Sequence, residues 1–175
     1  IFDLLIYGNY LFINNNYKLF IMLINDNEYF SVLLNNNINK LLYIFKNITN
    51  LNNESITYNI DIEKLKSFTL FYCLCFNKNI LPSDLLIKTI NNMQNEIFNN
   101  LDNISNKFYN EIYSEFILII IKSCYNLLKN SNNLEEYNKI LENINIIINN
   151  KKNIPNGLNN KIIFKHMDIY EKYYV

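Results

Sequence analysis

Alanine, arginine and tryptophan are missing from this 175-residue chain, and glycine and proline occur twice each. Each gap closes a route to function. Without arginine there is no planar fork to hold phosphate, carboxylate or guanine at two points; all 16 cationic side chains are lysines, which act as point charges. Two glycines cannot build a phosphate-cradling loop or a dinucleotide turn, so nucleotide binding by those routes is excluded. Histidine appears once, at His166, among Lys165, Met167, Asp168 and Tyr170. No nucleophile accompanies it, and it reads as a surface or interface residue rather than a general base. Cys73, Cys75 and Cys124 fall inside helical patterns, and their odd number suits reduced thiols better than a disulfide framework. Cys73 and Cys75 stand two apart on a helix, which turns them about 200° from one another and prevents joint chelation. No apolar run approaches the roughly 20 residues of a membrane span. The sequence therefore predicts no catalytic residue, no cofactor, no metal site, no small-molecule substrate and no membrane span.

What fills the chain instead is asparagine, 38 of 175 residues, with abundant isoleucine, leucine, lysine, tyrosine and phenylalanine. These residues share AT-rich codons, so the bias reads as the mutational mark of an AT-rich protist genome. The asparagines gather between periodic segments, as at Asn14-Asn15-Asn16, Asn35-Asn36-Asn37 and Asn159-Asn160, where turns and caps accept them. Formal net charge is zero but uneven, because residues 151–175 hold five lysines against two carboxylates. An anionic partner is expected to meet that end. The chain begins at Ile1 and reads as part of a longer or processed polypeptide, so the lack of a targeting peptide says nothing.

Apolar spacing of three and four residues runs through the whole chain and predicts an all-α fold without a sheet. Residues 1–50 read as N-terminal helical units: an apolar stretch over 1–13, helices over Tyr17–Ile24 and Asp26–Leu34, and a short one over Asn39–Ile48. Residues 51–60 read as the longest loop. From Asp61, taken as an N-cap, Ile62, Leu65, Phe68, Tyr72 and Phe76 line a helix apolar nearly all round. Pro82 to Asp84 start an amphipathic partner with Leu86, Ile90, Met93 and Ile97 inward and Asn91, Asn92, Gln94 and Asn95 outward. The same grammar returns from Ser105: Phe108, Tyr109, Ile112, Tyr113, Phe116, Ile120, Cys124 and Leu127, then an amphipathic series of Leu134, Tyr137, Leu141, Ile144 and Ile148. Aligning Cys75-Phe76-Asn77 with Cys124-Tyr125-Asn126 gives a period of about fifty residues, near that of helical-pair arrays. Residues 61–150 thus read as two helix–turn–helix units of an α-solenoid-like stack of antiparallel pairs.

Glu111 and Glu115 share a helix face at i,i+4 and read as solvated, with Lys107 as the partner of Glu111. Pro155-Asn156-Gly157 predicts a turn, and residues 151–175 a closing basic-aromatic helix with Ile163, Met167, Tyr170 and Tyr174 on one stripe. Lys151, Lys152, Lys161, Lys165 and Lys172 are the candidate RNA contacts, and Phe164, Tyr170, Tyr173 and Tyr174 the candidate interface aromatics, since lysines meet phosphates and rings stack on bases.

The run Phe68-Thr-Leu-Phe-Tyr-Cys-Leu-Cys-Phe-Asn-Lys-Asn-Ile-Leu-Pro-Ser-Asp-Leu-Leu-Ile-Lys-Thr-Ile, followed by Ile104-Ser105 and another long apolar helix, resembles the helical-pair arrays of organellar RNA-binding proteins of the heptatricopeptide and RAP type. The resemblance covers residues 61–150; nothing matches the RAP domain that closes many members, and the neutral charge departs from a basic RNA surface. It implies a structural component of an organellar ribonucleoprotein such as a mitochondrial ribosome, not an enzyme, contacting rRNA weakly and neighbouring protein subunits mainly. The alternative is a protein-only adaptor or accessory subunit of a membrane or trafficking complex, with a cytoplasmic rather than mitochondrial location.

Overall fold

The computed structural model describes residues 10–36, 56–130 and 134–173, and all regular structure among them is helical. The chain falls into two compact units, Ile1–Cys75 and Phe76–Val175. Residues 1–9 of the apolar stretch over 1–13, and the expected helix over 39–48, lie outside the described residues.

In the first unit a 3-10 turn, Tyr10–Phe12, leads into α1, Ile13–Asp26, and a second helix, α2, occupies 29–36. Asn27 separates them. Its extended backbone ends α1, with its N–H donating to the Leu23 carbonyl, while its side-chain oxygen accepts the Tyr29 N–H and opens α2. Helix α3 spans Ile56–Asn77. It starts five residues ahead of the expected cap at Asp61, inside the stretch read as a loop, because no glycine or proline interrupts 51–60 and Ile56 and Ile60 extend the apolar spacing upstream. Ile13, Tyr17 and Phe20 of α1, Leu34 of α2 and Leu65, Phe68, Phe71 and Tyr72 of α3 are buried. Phe71 lies edge-on to Phe20 at 5.0 Å and Tyr17 at 6.0 Å between centroids, and the Tyr72 hydroxyl donates to the Leu34 carbonyl at 3.2 Å. Burial pushes the Tyr17 phenol up to about 12.

The second unit holds α4, Ser83–Asn99; α5, Lys107–Lys129; α6, Leu134–Asn149; and α7, Asn160–Tyr173. Pro82, extended at φ −71° and ψ 132°, opens α4 as its sequence requires. Helix α5 is preceded by a 3-10 turn, Ile104–Asn106. Asn103, not Ser105, supplies the cap there, its side chain accepting the Ser105 N–H at 3.0 Å. Leu86, Ile90, Met93 and Ile97 are buried as the spacing predicts, and so is Phe116 to Ile121 apart from half-buried Leu118.

Three assignments of helix face need correction. Gln94, expected outward, is fully buried: its Nε2 donates to the Ile140 carbonyl at 2.9 Å and its Oε1 accepts from Asn143 Nδ2 at 2.9 Å. On α6 the buried set is Tyr137, Ile140, Leu141, Ile144 and Ile147, leaving Leu134 exposed. On α7 it is Ile162, Ile163, His166, Ile169 and Tyr173, with Met167 and Tyr170 only half-buried. Gln94 can face the core because α6 satisfies both ends of its amide, whereas His166 is held by a carbonyl of its own helix.

Directions follow from the cross-links. Asn91 meets Glu136 at 3.0 Å and Gln94 meets Ile140, so α4 and α6 run parallel. Glu111 meets Lys161 at 3.3 Å and Glu115 meets Lys165 at 2.6 Å, so α5 and α7 run parallel too. The Asn156-Gly157 turn is seated on the end of α4, the Gly157 N–H donating to the Leu101 carbonyl at 2.6 Å. A β-carbon at Gly157 would lie 2.0 Å from the Asn100 carbonyl oxygen, so this close backbone approach requires glycine.

Candidate functional site

The five candidate lysines do not form one free basic face. Lys151 and Lys152 are exposed on a 3-10 turn, Asn150–Lys152, after α6. Lys161 and Lys165 sit on the side of α7 that meets α5 and are paired there with Glu111 and Glu115. Lys172 stands at the far end of α7, its ammonium 5.6 Å from the centre of the Tyr173 ring. Of the aromatics, Phe164 is exposed, Tyr170 half-buried and Tyr173 buried, while Tyr174 lies outside the described residues.

The carboxylate pair on α5 was expected to be solvated, with Lys107 as partner. Glu111 and Glu115 are instead partly covered and oppose a lysine pair of the same i,i+4 spacing, because parallel helices in register bring equal spacings together. Asn159 fixes that register. Its side-chain oxygen caps α7 by accepting the Ile162 N–H at 2.9 Å, and its amide donates to Glu111 Oε2 at 3.1 Å. The Glu111 carboxylate consequently sits beside the positive end of α7.

His166 is fully buried rather than at a surface. One ring nitrogen, Nδ1, contacts the Ile162 carbonyl at 2.9 Å, and Nε2 has no hydrogen-bond partner. Desolvation lowers its pKa to about 4; the Ile162 contact opposes the shift and Lys165 adds to it. The ring is therefore neutral at pH 7. No group of three or more His, Cys, Asp or Glu side chains is disposed to hold a metal among the described residues.

A site that the sequence reading did not single out lies where α5 kinks. Cys124 leaves the helical region at φ −117° and ψ 17°, and Asn77 Nδ2 donates to the adjacent Ser123 carbonyl at 2.8 Å. Asn79, in the turn after α3, adopts the left-handed conformation at φ 56°, which asparagine tolerates better than most residues. Around the kink opens a cleft of about 800 Å³ lined by Asn77, Asn79, Lys122, Tyr125, Asn126 and Asn130 among others, with Leu127 the one aliphatic residue. Tyr125 and Tyr173 form one wall, their ring centres 4.8 Å apart and tilted by 41°. Lys129 holds its ammonium 5.5 Å from the centre of the Tyr125 ring and 3.2 Å from its hydroxyl. Lys122 and Tyr173 also line a second cleft of about 500 Å³, shared with Asp168, Glu171 and Lys172. Among the described residues the larger cleft offers amides, hydroxyls and an amine but no carboxylate or imidazole. Its signal was present in the sequence: Asn77 and Asn126, equivalent in the fifty-residue alignment, both line it.

No family model matches the chain, and no solved structure matches it. Among curated proteins it is similar to the DNA-directed RNA polymerase subunit beta'' of Bigelowiella natans, with 31% identity over 137 residues. That alignment takes in 78% of this chain but spans only 7% of the subunit's length. So small a share carries none of the polymerase's activity across.

Proposed function

We propose that the chain is a non-catalytic α-helical scaffold of an organellar ribonucleoprotein, such as a mitochondrial ribosome, in which stacked helical pairs hold neighbouring proteins and touch RNA weakly. One observation carries this reading. Side-chain cross-links within the second unit recur at nearly constant sequence separation: Asn77–Ser123, Asn91–Glu136, Gln94–Ile140, Asn143–Gln94, Asn110–Gly157 and Asn159–Glu111 are 45 to 49 residues apart. The ion pairs Lys161–Glu111 and Lys165–Glu115 continue the series at fifty. A repeat whose equivalent helices lie parallel and one period apart would produce such a ladder, which supports the reading of a solenoid-like stack. Such stacks serve as extended binding surfaces.

Phe108, Ile104, Ile146, Leu134 and Phe164 are exposed on the second unit, which suits contact with other proteins. Lys151 and Lys152, with Lys161, Lys165 and Lys172 along α7, are the residues assigned to RNA. Two of these lysines are shared with carboxylates, in keeping with weak attraction to phosphate. Similarity to a stretch of an RNA polymerase subunit supports association with nucleic acid. The test is gradient sedimentation of the tagged protein from organelle-containing lysate, with and without ribonuclease. Migration with a large particle that shifts after nuclease treatment is expected. A nuclease-insensitive position would overturn the ribonucleoprotein reading in favour of a protein-only adaptor.

A further inference from the structure

We infer that the polar cleft at the kink of α5 binds an unpaired nucleotide of single-stranded RNA, the base stacking on Tyr125 and the phosphate meeting Lys129 and Lys122. This rests on the ribonucleoprotein reading and extends it, since that reading engages RNA only through the C-terminal lysines.

The ring wall supplies the first argument. Tyr173 is buried, whereas Tyr125 is half-exposed and keeps one face toward the exposed Lys129. An exposed cation on an aromatic face is held more weakly than a stacked base. A base arriving at Tyr125 therefore displaces the lysine outward, toward its own phosphate. The lining supplies the second argument. Asn79, Asn126 and Asn130 line the cleft, and an asparagine amide carries donor and acceptor side by side, the pattern that matches the edge of a base. A peptide partner would call for apolar walls, and among the described residues Leu127 is the only aliphatic contribution.

Charge decides the orientation. α3 and α5 both end at this cleft, at Asn77 and Lys129, and their terminal carbonyls repel an anion. The phosphate accordingly belongs on the lysine rim, and the donors of the base belong inside. Asp168 and Glu171 line the adjoining cleft together with Lys172, so the phosphate stays at Lys122, which borders both clefts, rather than passing into the second. A volume of about 800 Å³ admits a nucleotide, being within the range of small-molecule sites.

The test is fluorescence anisotropy of a labelled 12-nucleotide oligouridylate titrated with the whole chain at low salt. Tyr125→Ala is expected to weaken binding about fivefold or more, by analogy with other base–aromatic stacks. Tyr125→Phe should bind like the parent, and Lys129→Ala should reduce the salt slope by about one. Far-ultraviolet circular dichroism of each variant establishes that helicity is retained. Parent and Tyr125→Ala chains binding within twofold of each other, or no binding by the parent, overturns the cleft. If the protein still sediments with a nuclease-sensitive particle in that case, the ribonucleoprotein reading survives; loss of both overturns both. A labelled peptide that competes for the cleft while RNA does not would assign it to a protein partner.

Discussion

Replacing Gly157 with alanine tests how the end of the second unit is held. The added β-carbon would lie 2.0 Å from the Asn100 carbonyl oxygen, 2.6 Å from that of Leu101 and 2.9 Å from the Leu101 carbonyl carbon. All three are backbone atoms and cannot swing aside as a flexible side chain would. Ordinary contact begins at 3.4 Å, so the turn must retreat by about 1.4 Å, the difference from 2.0 Å. Two hydrogen bonds bridge that gap: the Gly157 N–H to Leu101 at 2.6 Å, and Asn110 Nδ2 to the Gly157 carbonyl at 3.0 Å. Asn110 is fully buried and its Nδ2 also reaches the Asn100 carbonyl at 3.3 Å, so retreat of the turn leaves that amide only the longer of its two bonds and no access to water.

Losing a partner from a buried polar group costs about 1–3 kcal/mol, so the two bonds together represent about 2–6 kcal/mol. Alanine returns about 0.4–1 kcal/mol by restricting the unfolded chain, which leaves a net loss of about 1–6 kcal/mol. Urea denaturation followed at 222 nm measures it, with an unchanged m-value as the sign that only stability moved. Combining Gly157→Ala with Asn110→Ala should give less than the sum of the two losses, because both sever the same bond. A loss below about 1 kcal/mol, or any gain, would refute the close docking of this turn on the end of α4.

Three further outcomes follow from the same packing. Gln94→Leu keeps the volume but removes the acceptor of the half-buried Asn143 amide and the second donor to the Ile140 carbonyl, and should cost about 1–3 kcal/mol in the same urea assay; neutrality would mean that the amide link contributes nothing. Glu115→Gln should cost about 1 kcal/mol and Glu115→Lys more, because Lys165 at 2.6 Å then faces a like charge; a cycle with Lys165→Met showing no coupling would dismiss the pair. His166 has a folded pKa of about 4 against an ordinary 6.5, so the unfolded chain binds more protons between those values. Its contribution is complete above pH 6.5 and is lost as pH falls toward 4, a change of about 3 kcal/mol at most. Chemical denaturation of His166→Gln across that window should give a flatter profile than the parent, and parallel profiles would show that the imidazole charges without penalty.

The helices were legible because their apolar residues repeat at three and four: Leu86, Ile90, Met93 and Ile97 can only lie together on a helix. The misplaced polar residues share one physical origin. Sequence reading assigns asparagine, glutamine and histidine to turns or solvent, as Asn27, Asn103 and Asn159 bear out by capping helices. Gln94, Asn110 and His166 have the same polarity yet are fully buried, because a helix one repeat away or a backbone carbonyl accepts their hydrogen bonds. Nothing local distinguishes the two groups. The distinguishing information lies about fifty residues away in sequence, at Ile140 and Asn143 for Gln94 and at Gly157 for Asn110. For the candidate cleft the fifty-residue alignment pairs Asn77 with Asn126, whereas Tyr173 joins them only in the fold. Where apolar burial is non-directional, period alone finds it; where burial is polar, each group needs its own partner. In an asparagine-rich chain the repeat period is therefore the key to its interior, and Cys75-Phe76-Asn77 against Cys124-Tyr125-Asn126 had supplied it.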